Sequence, residues 1–259
     1  MEIATHIEAL RHEGARMTTT ARAVSPDALV PSCPDWVARD LIRHTGGIHR
    51  WATGYVAETR TEGKGGSLEE IVGRWPDDDE LADWFEAGWL GLVAALEAAP
   101  PDLECWTFLP GPSPLAVWSR RQAHETAIHR VDTELAAGRP IGEVAPFTPA
   151  FAADGVDELL TCFVPKRSSK VRAQERVTLA VHCTDDNSSW TLAVGPDGVT
   201  VNAGVDPAAG RGHGACTARG AAGELYLALW RRAGSERLQI EGDRAVLDAL
   251  DEALPLRWA

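Results

Sequence analysis

The sequence predicts a two-domain α+β protein, a four-helix bundle over residues 1–140 followed by a smaller α+β domain over 146–259. Three observations predict it. Apolar residues recur at helical spacing as far as about Ala137. Between Ala137 and Pro149, Pro140, Pro146 and Pro149 interrupt any helix, because proline lacks the amide donor and clashes with the preceding turn. Beyond that break the period shortens to two, and Gly195-Pro-Asp-Gly198 gives a strong hairpin signal.

Ile3, Ile7 and Leu10 begin a long first helix, and a loop with Pro26, Pro31 and Pro34 ends it. Ser32 or Asp35 then caps a second helix from about Trp36 to Glu58. Along it Val37, Leu41, His44, Ile48, Trp51 and Tyr55 follow at steps of four and three, one apolar stripe with a histidine in its middle. Glycines 63 to 66 mark a loop with no readable core face. A third helix near Asp79 to Ala99 carries Leu81, Trp84, Trp89, Leu92 and Leu96, and Asp77 to Glu80 suit its positive N-terminal end. After the proline-rich stretch Pro110 to Pro114, a fourth helix runs from about Leu115 to Ala137, and four such helices suggest a bundle.

In the second domain Phe151 to Phe163 reads as a helix, with Asp154 to Glu158 as acidic helix residues, because they lack the alternating ligands of a calcium loop. Arg176 to Cys183, Ser189 to Val194 and Gly198 to Ala203 read as strands, the last two forming the hairpin. A strand near Ala215 to Arg219, a helix Ala222 to Arg232, a strand Leu238 to Glu241 and a helix Arg244 to Leu254 complete it.

Composition narrows the function. Lys plus Arg total 25 against 38 for Asp plus Glu, a net charge of -13, so the phosphate-neutralising surface of a nucleic-acid binder is missing. No apolar run approaches the ~18 residues of a membrane span, and Met1 leads into Glu2 and a polar amphipathic stretch, unlike a signal peptide. The expectation is a cytoplasmic protein without a nucleic-acid or membrane partner. Cys33, Cys105, Cys162, Cys183 and Cys216 are scattered and never form a CxxC pair, which argues against a disulfide framework or thiolate zinc site. The ten tryptophans crowd the first half, as in a helical core filled by large rings.

The most informative segment is Trp118-Ser-Arg-Arg-Gln-Ala-His-Glu-Thr-Ala-Ile-His-Arg-Val-Asp132. At about 100° per residue, Glu125 and His129 project only about 40° apart, one turn from each other, with Asp132 on the same face. His124 and His129 are five apart rather than four, so this is not the HExxH zinc-protease motif. A carboxylate and an imidazole on a core face are costly to bury unless paired or metal-bound. With His44 on the facing helix they make a His/His/Glu set with an open position, the arrangement of a catalytic zinc site, and Asp132 would orient His129 from outside it. A purely hydrogen-bonded His/Glu core network fits the same spacing.

Other polar residues have plainer readings beside functional ones. His49, about 140° from His44, reads as a boundary residue near the mouth of the site, and His124 as a packing or capping residue. Arg121 and Arg130 flank the ligand face and would attract an anionic cofactor or a carboxylate, or else pair with nearby acids in solvent. Arg231 and Arg232 suit a helix C-terminus, and Arg232 would reach a substrate carboxylate bidentately.

The stretch Val30-Pro-Ser-Cys-Pro-Asp-Trp-Val-Ala-Arg-Asp-Leu-Ile-Arg-His44, followed by Thr-Gly-Gly-Ile-His-Arg-Trp51, resembles the second-helix signature of the mycothiol-dependent maleylpyruvate isomerase family. Arg121 to Asp132 resembles that family's fourth-helix signature, and Ala222 to Arg232 with Ile240-Glu-Gly-Asp243 resembles its ending. The resemblance spans nearly the whole chain. It implies a DinB-like metal-binding bundle followed by a sterol-carrier-like domain, with metal ligands at His44, Glu125 and His129. It also implies Zn²⁺, or another divalent ion such as Ni²⁺, together with mycothiol and an electrophilic small-molecule substrate. In such an isomerase the thiolate adds to the cis double bond of maleylpyruvate, the new single bond rotates, and elimination gives fumarylpyruvate. A mycothiol S-transferase acting on another electrophile, or a non-catalytic metal- or ligand-binding protein, would use the same framework. Metal identity, acceptor and oligomeric state are left open by the sequence.

Overall fold

The computed structural model describes residues 1–63, 66–144, 147–166, 172–204 and 215–253. The chain forms two compact units, Met1–Ala145 and Pro146–Ala259.

The described residues of the first unit form four long helices, α1 (Ile3–Ala21), α2 (Ala38–Ala57), α4 (Leu81–Ala98) and α5 (Pro114–Ala136), with one extra turn, α3 (Leu68–Val72), between the second and third. Five residues are too few to show a helical period, so the sequence reads this turn only as loop. Ser113 caps α5 by accepting from the Ala116 amide at 3.2 Å, and Pro114 supplies the first helical position, where no donor is needed. Neither Ser32 nor Asp35 caps α2. The cap position is Val37, whose amide donates to the Asp40 carboxylate at 3.1 Å, because residues 29–37 form a turn closed by a Leu29–Val37 bridge.

Helix α5 packs against α1 and α2, and nearly every residue from Leu115 to Glu134 is buried, polar ones included. Helix α4 fits closely against α1 and α2 where they lack a side chain. A Cβ on Gly14 would lie 2.7 Å from the Trp89 ring, and one on Gly46 would lie 2.3 Å from that of Trp84. At the far end of α2, Trp51, Tyr55, Trp106, Phe108 and Trp118 form a cluster of ring contacts with centroids 5.1 to 6.2 Å apart. These distances fall in the range of favourable offset and edge-to-face packing.

The second unit opens with α6 (Pro149–Asp157), capped by Thr148, which continues through a π-helical turn at Glu158–Phe163 into the short α7 (Val164–Lys166). Among the described residues five strands follow in one mixed sheet, which in chain numbering has the order β3-β2-β1-β4-β5. β1 (Val177–Cys183) pairs antiparallel with β2 (Ser189–Gly195) and parallel with β4 (Ala215–Gly220). β2 and β3 (Gly198–Ala203) make the hairpin, with Gly195 opposite Gly198, and β5 (Gln239–Gly242) lines the β4 edge antiparallel. Helix α8 (Ala222–Leu229) follows β4, and α9 (Ala245–Ala253) follows β5. α8 stops before the expected Arg232 because Arg231 takes a left-handed φ of 62°, and the Arg232 amide turns back to the Leu227 carbonyl at 2.7 Å. Around α8 the core is aromatic: Trp230 donates to the Gly155 carbonyl at 3.0 Å, and the Tyr226 ring lies so close to Gly155 that a Cβ there would be 2.3 Å away. Among the described residues no helix is long and apolar enough to cross a membrane.

Candidate metal centre

Two facing helices supply the site. His44 lies in the second turn of α2, and Glu125 and His129 lie one turn apart on α5. Their donor atoms all fall within 4.8 Å of one another. Glu125 Oε1 stands 3.2 Å from His129 Nε2 and 3.5 Å from His44 Nε2, and the two imidazoles meet edge to face with centroids 5.3 Å apart. His44 Nε2 is buried and makes no hydrogen bond, so a nitrogen lone pair is aimed at its neighbours without the partner that burial normally demands.

Each neighbouring polar group fixes one of these donors. Arg121 donates from a terminal guanidinium nitrogen to Glu125 Oε2 at 2.7 Å, which leaves Oε1 toward the histidines. His129 Nδ1 lies 2.9 Å from Asp132 Oδ2, so the proton on that nitrogen is held by the carboxylate and Nε2 faces the site. Asp132 in turn accepts from the Ser32 hydroxyl at 2.5 Å. On the α2 side the Trp36 ring lies against His44 at 4.9 Å.

The electrostatics are those of a coupled pair. Burial pushes Glu125 toward its neutral acid, but the charges of His129 and Arg121, with the close approach of the His129 and His44 rings, outweigh it and hold the carboxyl well below its usual range. Burial likewise opposes charge on His129, and Glu125 and Asp132 overcome it and raise that imidazole. Both shifts favour opposite charges side by side on Glu125 and His129, and a metal ion would supply the positive charge in place of a proton.

The donors fit such an ion by type and by spacing. Bonds of about 2.0 to 2.2 Å in a tetrahedral zinc site put neighbouring ligand atoms roughly 3.3 Å apart. The 3.2 and 3.5 Å separations at Glu125 Oε1 bracket that value.

The other polar residues that the sequence singles out have partners of their own. Arg130 is on the α1 side of α5, fully buried, where it donates to Glu13 at 2.6 Å, to Glu134 at 3.2 Å and to the Val144 carbonyl. Arg16 binds Glu134 from the same side, so Arg130 belongs to a buried ion network between α1 and α5, away from the trio. Arg121, placed by the sequence reading beside the site as an anion attractor, is itself buried and acts on Glu125. Arg232 is in the second unit, buried, with a guanidinium nitrogen 2.7 Å from the Trp230 carbonyl. His124 is buried with its ring edge-on to His6 at 6.1 Å.

His49 is not a boundary residue. It is fully buried between α2, α4 and α5, with Nε2 2.8 Å from the Thr126 hydroxyl and its ring 5.5 Å from that of Phe85. Thr126 already donates to the Gln122 carbonyl, so the histidine is the donor. Burial pushes its pKa down to about 3 from an ordinary value of 6.5. A folded pKa below the unfolded one means that the stability it supports is complete above about pH 6.5 and is lost as pH falls toward 3. Between these limits, His49→Gln should flatten the acid-side slope of the unfolding free energy by up to about 1.4 kcal/mol per pH unit. Chemical denaturation at pH 7, 6, 5 and 4 measures it, and parallel curves for the two proteins would contradict a neutral buried His49.

Comparison with known proteins bears on both units. A family model described as the mycothiol maleylpyruvate isomerase N-terminal domain matches residues 7–134, and the model of that family's C-terminal domain matches residues 150–249. Among solved structures, the mycothiol-dependent maleylpyruvate isomerase is similar with a TM-score of 0.63 at 13% identity, over 93% of each chain. A histidine-to-alanine variant of that enzyme gives 0.62 at 14% identity, again over 93% of each chain. At such low identity the likeness is one of fold. No curated protein matches the chain.

Proposed function

The chain belongs to the mycothiol maleylpyruvate isomerase family, and we propose that it is a metal-dependent enzyme using mycothiol to isomerise the cis double bond of maleylpyruvate or a close electrophilic relative. The observation that carries this reading is the convergence of His44 Nε2, Glu125 Oε1 and His129 Nε2 in one buried place, with the first of these lacking a hydrogen bond. These three residues would hold a divalent ion. Two imidazoles and a carboxylate suit zinc, and three protein ligands leave a position open for the thiol. When bound, such an ion lowers the pKa of a coordinated thiol, so that thiolate, the competent nucleophile, dominates at neutral pH.

The chain's own groups prepare that chemistry. Arg121 holds one oxygen of Glu125 and so turns the other inward. Asp132 holds the Nδ1 proton of His129, which keeps the Nε2 lone pair available and the ring oriented. Burial of Glu125 and His129 excludes water from their side of the site and strengthens electrostatic interactions there.

The test is metal analysis joined to an activity assay on the purified protein. Conversion of maleylpyruvate to its trans isomer should require added mycothiol, vanish with chelator, and return with Zn²⁺. Turnover that survives complete metal removal, or proceeds without a small thiol, would exclude this mechanism.

A further inference from the structure

A single turn reaches toward both histidines of the trio. Residues Ser32 to Trp36 precede α2 and are tied by hydrogen bonds from the Cys33 amide to the Val30 carbonyl, from the Trp36 amide to the Cys33 carbonyl, and from the Val30 amide to the Trp36 carbonyl, at 3.0, 2.9 and 3.1 Å. Val30 is buried beneath it. At one end the Trp36 ring rests on His44. At the other, Ser32 Oγ donates to Asp132 Oδ1 at 2.5 Å, and Asp132 Oδ2 holds His129 Nδ1 at 2.9 Å.

A carboxylate behind a ligand histidine fixes its tautomer and ring angle, and a group that fixes the carboxylate acts on the ligand one bond further out. Ser32 and His129 take different oxygens of Asp132, so the hydroxyl bears on which oxygen faces His129 and at what angle. Asp132 is fully buried, which removes water as a ready substitute for the serine. The geometry points to Ser32 as a positioning residue of the metal centre, acting through Asp132 on His129, with its turn kept in place by the same backbone that sets Trp36 on His44. This rests on the metal-site reading given above.

Zinc affinity, measured by competition with a chromophoric chelator, tests it on wild type, Ser32→Ala and Ser32→Thr. The Co²⁺ absorption spectrum and the melting temperature of the metal-free proteins are recorded alongside. Ser32→Ala should weaken zinc binding by about 10- to 100-fold, the usual cost of losing an outer partner of a metal ligand. It should also alter the Co²⁺ ligand-field bands, while Ser32→Thr, which keeps the hydroxyl, stays near wild type in both. Wild-type zinc affinity in Ser32→Ala overturns the inference whatever its melting temperature, and so do equal losses in the alanine and threonine variants. A wild-type chain that takes up neither ion overturns this inference and the metal reading together, whereas the other two outcomes leave the metal reading standing.

Discussion

His44→Ala should leave the purified protein folded and without its metal. Wild type is expected to carry about one divalent ion per chain by elemental mass spectrometry, since among the described residues the His44, Glu125 and His129 donor set lies wholly within the first unit. His44 is the contribution of α2 to that set, and its Nε2 makes no hydrogen bond whose loss would weaken the bundle. Circular dichroism and melting of the metal-free variant should therefore stay close to those of metal-free wild type. With the thiol activated by the ion as proposed, its loss forfeits several kcal/mol of activation, and turnover should fall by about 1000-fold or more. Stoichiometric metal in the variant would take His44 out of the site.

Arg130→Ala should do the opposite, harming the fold and sparing the chemistry. Its guanidinium joins Glu13 on α1 to Glu134 on α5, and Arg130, Glu13 and Glu134 are all buried. Truncation leaves Glu13 without this partner, and breaking a buried pair from one side costs about 3–5 kcal/mol. For a unit of this size that lowers the melting temperature by about 10 °C. Arg16 remains on Glu134, so the loss falls mainly on Glu13, and Glu13→Gln in the Arg130→Ala background should recover part of it. Metal content and the KM for mycothiol, measured well below the melting temperature, should stay near wild type. A raised KM with unchanged melting would instead place Arg130 against the thiol, as an anion attractor.

The helices and the convergence of the trio were legible because an α-helix is a stiff ruler. Glu125 and His129 must share a face at four residues' separation, and an interrupted apolar stripe identifies His44 as an inward polar residue on α2. Most of what escaped the sequence around the site comes from the central position of α5. A helix buried on nearly all sides has no solvent face, so the reading of Arg121 and Arg130 as surface arginines fails, and each finds a carboxylate indoors. His49 was misjudged for the same reason, because α2 packs on both α4 and α5 and a residue 140° from the apolar stripe is still inside. Ser32 was invisible as anything but a cap, since its partner lies a hundred residues away and only the folded turn unites them. The five-residue α3 and the left-handed Arg231 that shortens α8 are settled by local backbone geometry, and periodicity does not report it.

That α2 and α5 each bring donors to one point makes the expected ion a rivet between segments distant along the chain. A ligand that binds only the folded form stabilises it by RT ln(1 + [L]/Kd), about 2.7 kcal/mol at a hundredfold excess over Kd. Such a margin is a sizeable part of a domain's whole stability of about 5–15 kcal/mol. Metal supply would then govern how much of this chain survives in the cell as well as how fast it turns over, and scarcity of the ion would be felt as proteolytic loss of the enzyme.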